Sequence, residues 1–142
     1  MAALTSCFSE EIDDSEHVGR FITSSGHVAK TKGRVKYPAF LPDKVDDETS
    51  VFRLDGLDER QISEIGAKNM PNGHFYGAAV VKVGVVRRET LTVLADEPPD
   101  RHGVFRSWPL HDDAEFKKAR RMEIAEAIAE EAAFLPRITK VS

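Results

Sequence analysis

The sequence predicts an α+β fold: a small, mostly antiparallel sheet of three to five strands, covered by a long C-terminal helix and one shorter helix. Three observations carry this expectation. The residues after Asp112 are dominated by Ala, Glu, Lys, Arg and Met, and they place Phe116, Ala119, Ile124, Ile128, Ala132 and Leu135 at helical spacing. Residues 75–86 form an almost unbroken apolar, β-branched run, which suits a buried central strand better than a helix. Two shorter β-type runs, 50–54 and 91–94, lie among turn signals. An apolar stripe on a long helix has to cover something, and a sheet is the natural surface for it.

In chain order, residues 1–15 show no periodic apolar pattern and read as a mobile acidic tail. Residues 16–142 then form one domain of ordinary size. Val18, Phe21 and Ile22 anchor a first turn or strand, and Ser24-Ser25-Gly26 marks a turn. The segment 35–42 begins with apolar–polar alternation, but Pro38 has no N–H to give a ladder, so it reads as an edge strand. An acidic loop at 43–49 leads into 50–54, which delivers Arg53 among apolar neighbours. Asp58 and Gln61 have the spacing of a capping box, with Leu57 and Ile62 as its hydrophobic staple, and Pro71 stops the helix that follows. The run 75–86 is expected to pair with 91–94 as an antiparallel hairpin. Residues 96–100, with two prolines, make a rigid loop, and Phe105 and Trp108 follow in an exposed aromatic segment. Asp112 and Glu115 open the last helix as a second capping box, and Pro136 closes it.

Composition excludes several classes. A single cysteine, Cys7, permits neither an internal disulfide nor a cysteine zinc knuckle. The N-terminus lacks the basic and apolar regions of a secretory signal, and no apolar run approaches the ~20 residues that span a bilayer. A cytoplasmic protein of a reducing, bacterial-type cell is expected, with no membrane partner. Charge is strongly polarised: residues 1–16 hold five acids and no base, while residues 17–42 hold five bases (Arg20, Lys30, Lys32, Arg34, Lys36) and no acid. Like charges this close repel, so the segment serves either as a solvated loop paired with neighbouring acids or as a site for an acidic or phosphate-bearing partner.

No nucleotide, hydrolase or metalloprotease fingerprint is present. Asp100, Glu115 and Lys117 spell a metal-nuclease pattern, but Glu115 and Lys117 fall on a helix and face different ways, so no metal and no cofactor is expected. His102 and His111 lack zinc-ligand spacing. Two functional readings remain. In the first, the chain is a small accessory module that engages a larger protein assembly, including one that handles nucleic acid. Lys30, Lys32, Arg34, Lys36 and Tyr37 would meet an anionic partner, with Phe105 and Trp108 as an aromatic contact. The partner expected is another protein, with nucleic acid as the second candidate, although a sequence pI near 5.7 is unlike that of dedicated nucleic-acid binders. In the second, His27 and His102 exchange protons at a phosphodiester or nucleotide without a metal, and Arg53 clamps the phosphate. Against that stands the plainer role of each histidine as a loop residue, and of Arg53 as a partner of Asp55 or of an acid in 43–48.

Overall fold

The computed structural model describes residues 12–29 and 33–138. Its centre is a six-stranded, wholly antiparallel sheet in the order β4-β5-β2-β1-β3-β6. The strands are β1 (His17–Ile22), β2 (Thr49–Arg53), β3 (Gly77–Lys82), β4 (Thr92–Ala95), β5 (His102–Arg106) and β6 (Ala133–Pro136). Three helices, α1 (Glu59–Asn69), α2 (Val83–Arg88) and α3 (Ala114–Glu130), complete the α+β fold, so the sheet has six strands where three to five were expected. No helix among the described residues is long and apolar enough to cross a membrane.

Strand alternation sorts the core into two layers. One face carries Val18, Ile22, Val51, Val81 and Phe105, which cluster with Ile124, Ala125, Ile128 and Ala129 of α3. The other face carries Phe21, Phe52 and Ala78, which meet Leu54, Phe75 and Ile62 of α1. The helices thus define an α3 face and an α1 face of the sheet. α1 begins as the sequence predicts: the Asp58 carboxylate accepts the Gln61 amide at 2.8 Å, and the Gln61 side chain accepts the Asp58 amide at 2.9 Å. Gly66 lets α1 lie close to the aromatic rings, since a Cβ there would stand 2.6 Å from Phe75 and 2.8 Å from Phe21.

Several elements differ from expectation. The apolar run 75–86 is not one strand; it leaves the sheet at Lys82 and winds into α2. The Val83 amide donates to Glu16 O and the Gly84 amide to Asp14 O, at 2.9 Å each. These bonds turn the backbone, and Val83 and Val86 stay buried at helical spacing. The expected hairpin therefore does not form: β4 pairs with β5 instead. Residues 35–42 are not a strand either. Val35 makes one isolated bridge to Val28, after which Pro38 opens a 3-10 turn over Tyr37–Phe40. α3 starts one residue later than the expected cap, with Asp113 accepting from the Glu115 and Phe116 amides. It also ends earlier, and 133–136 become edge strand β6. Gly77 permits that pairing, because a Cβ would lie 2.4 Å from Leu135 O. Phe116 is 57% exposed and so lies off the buried stripe. Of the expected tail, residues 1–11 lie outside the described residues, Cys7 among them, while Ile12 is buried in the α3-face core.

Candidate functional site

The three residues of the two-histidine reading do not converge. Phe52 is the register partner of His102, so the two share the α1 face, and their rings meet edge to face at 5.3 Å. Arg53, the next residue along β2, therefore points to the opposite, α3 face. There it is buried, and its guanidinium holds the Glu16 carboxylate at 2.7 Å. The acid it meets among the described residues is thus Glu16, rather than Asp55 or an acid of 43–48. His27 lies beyond the far end of β1, beside Arg20, whose side chain also projects to the α3 face. The sheet separates His27 from His102.

Each histidine has a local role. His102 Nδ1 lies 2.9 Å from Asp96 O and 3.4 Å from Asp96 Oδ2, which closes the β4–β5 loop. His27 sits in a 3-10 turn, its carbonyl accepting the Lys36 amide at 2.8 Å. Burial, and then the Arg20 guanidinium, push the His27 imidazole below its ordinary pKa. His17, not singled out by sequence, places Nδ1 3.1 Å from Asp55 Oδ1, and that oxygen also accepts the His17 amide. His111 Nδ1 accepts the Asp113 amide ahead of α3. His74 packs edge-on against Tyr76.

The aromatic segment expected to be exposed lies inside the fold. Phe105 is fully buried on β5, stacked with Phe40, and Trp108 is only 4% exposed. Neither ring presents a surface to a partner in this structure. Phe105 is buried because β5 takes a place in the sheet between β4 and β2.

The basic segment is where the structure builds a groove. The Ala29 amide donates to Arg34 O at 2.7 Å and the Lys36 amide to His27 O, so residues 27–29 and 34–36 run together as the two limbs of a pinched arm. Lys30 and Lys32 lie outside the described residues. On the returning limb Val35 turns inward and is buried, which leaves Arg34 and Lys36 together on the outer side. The 3-10 turn that follows buries Ala39 and Phe40 in the cluster that holds α3, and this packing brings the helix alongside the arm. The result is a groove of about 650 Å³ lined by Arg34, Val35, Lys36 and Tyr37 on one side and Glu126, Ala129 and Glu130 on the other. Glu126 and Glu130 stand one helical turn apart on the same face of α3. All four charged side chains are exposed, and among the described residues none makes an ion pair or side-chain hydrogen bond.

Arg20, the fifth base of the segment, is not part of this groove. It is half-buried, and it donates to Ala39 O at 3.1 Å and Ser50 O at 3.0 Å, which ties β1 to the turn and to β2. A second cleft, of about 770 Å³ and lined by Ile12, Asp14, Arg87, Val93 and Leu94, has its cation already engaged. Arg87 bonds Asp14 at 2.6 Å and Val93 O at 3.3 Å.

The two carboxylates of the groove were the part that sequence reasoning missed. Glu126 reads as a solvated position on α3, and only the packing of Ala39 and Phe40 against that helix carries it to the basic arm. Compared with protein families, curated proteins and solved structures, the chain shows no significant match.

Proposed function

We propose that this chain is a small cytoplasmic, non-catalytic accessory module that engages a larger protein assembly through its basic segment. The observation that carries the reading is the pair of unengaged cations, Arg34 and Lys36, held side by side over an apolar floor in a cleft of ligand-binding size. Exposed cations that make no internal ion pair contribute little to folding, so their fixed presentation on a pinned arm serves recognition. The two-histidine chemistry lacks comparable support, because Arg53 and His102 point to opposite faces of the sheet.

Capture from extracts of the native host tests this reading. Tagged wild type and the charge-reversed Arg34→Glu/Lys36→Glu variant are compared at equal folded concentration, in low and in high salt. The expected result is a partner retained by wild type, lost by the variant and weakened by salt. Equal retention by both proteins would remove the basic segment from the interface.

A further inference from the structure

We propose that the groove between the basic arm and α3 takes an extended peptide of mixed charge, with acidic side chains along one edge, basic side chains along the other and an apolar side chain on either edge against Tyr37 and Ala129. This rests on the proposed binding role of the basic segment and specifies the occupant.

The groove is two-walled and bipolar. Arg34 and Lys36 form one wall and Glu126 and Glu130 the other, with Val35, Tyr37 and Ala129 between them. Opposite charges that line one groove ordinarily close into ion pairs, yet these four form none with one another. Each wall is fixed by its own element. The arm is fixed by the 27–36 and 29–34 backbone bonds, and α3 by Ile124, Ala125 and Ile128 in the core. A guest that satisfies both walls must carry both signs.

An extended strand meets that requirement directly, since successive side chains point to opposite sides. Acids at alternate positions reach Arg34 and Lys36, and bases at the intervening positions reach Glu126 and Glu130. An apolar residue on either edge packs on Tyr37 and Ala129. A nucleic-acid strand is the poorer guest. It offers phosphates to the cationic wall but has no cation for the opposite carboxylates, which repel the same backbone.

The test uses the whole chain. Labelled protein is applied to an array of hexapeptides drawn from Asp, Lys, Phe and Gly, and anisotropy with labelled oligo(dT) runs beside it. Peptides containing Asp, Lys and Phe are expected to bind about tenfold tighter than acid-only peptides or oligo(dT). Arg34→Glu/Lys36→Glu and Glu126→Lys/Glu130→Lys should each abolish that preference. Combining all four substitutions should restore it, because the reversed walls accept the same peptides in the opposite orientation. Restoration separates recognition from mere damage to the fold.

Enrichment of acid-only peptides, or oligo(dT) binding as tight as the best peptide, would overturn the mixed-charge occupant and leave the basic segment as the binding element. So would a four-fold variant that folds but binds nothing. Should Arg34→Glu/Lys36→Glu behave as wild type toward every probe and toward the native partner, the binding reading itself fails along with the occupant.

Discussion

Arg53 and Glu16 show how much one buried pair can demand of its surroundings. Arg53 is 4% exposed, and the Glu16 carboxylate at 2.7 Å keeps its charge from standing alone in the core. Removing one member of such a pair leaves the other charge desolvated. Arg53→Ala should therefore cost about 3 kcal/mol in urea unfolding. Glu16→Leu combined with Arg53→Met should recover most of that loss; a double variant as unstable as Arg53→Ala would show that the charges themselves hold the fold. His27 supplies a pH dependence. Its folded pKa lies below the ordinary value of 6.5, through burial first and Arg20 second. The native state then favours the neutral ring, so the unfolded chain binds the proton more readily. Stability contributed by neutral His27 is complete above pH 6.5 and declines as pH falls below it. His27→Gln should flatten that part of the stability profile, measured by thermal melts across pH 5 to 7.5. The sequence placed Arg53 among apolar neighbours, but its partner 37 residues away was invisible until β1 and β2 paired.

Among the elements, α3 and α1 were legible because their signals are local. Capping side chains sit three residues from the amides they bind, and the apolar stripe repeats within one helix. Ile128 is fully buried at the centre of that stripe. Ile128→Asp should abolish soluble folding, read by soluble yield and circular dichroism, whereas Glu126→Ala should change stability by less than about 0.5 kcal/mol in urea unfolding. Gly66 sets two effects against each other. Alanine gains about 1 kcal/mol of helix propensity over glycine. The new methyl group, however, meets the Phe75 and Phe21 rings at 2.6 and 2.8 Å. Overpacking typically costs about 1–3 kcal/mol, so Gly66→Ala should lower the melting temperature; a rise would show that the rings shift freely. The elements that were misread, β3 with α2, β5 and β6, share one cause. A short apolar run fits a strand or a buried helix equally well, and its fate depends on what it meets. For 83–86 that contact is the backbone of Asp14 and Glu16; for 133–136 it is β3.

At the scale of the whole molecule, chain segments far apart in sequence close the core. Ile12 is 3% exposed in the cluster beneath α3, and Asp14 O accepts the Gly84 amide at the start of α2. Deleting residues 1–15 should therefore cost more than about 2 kcal/mol, the scale of a real packing loss. A melting temperature equal to wild type would show that Ile12 adds nothing to the core. The basic arm should behave in the opposite way. Replacing Lys30, Lys32 and Arg34 together by Ala should leave the melt nearly unchanged and weaken partner binding, with the defect shrinking as salt rises. The α+β class, the cap of α1, the presence of α3 and the polarised charge of 17–42 could be read from the chain before it folds. These are properties of composition and of residues within a few positions of one another. The tertiary structure alone decided the six-strand order, the burial of Phe105 and Trp108, and the separation of Arg53 from His102 by a sheet. It also decided which carboxylates face the basic arm. Strand pairing and helix packing join residues dozens of positions apart, and register assigns each side chain to one face or the other, so a groove built from residues 34–37 and 126–130 exists only once α3 has docked.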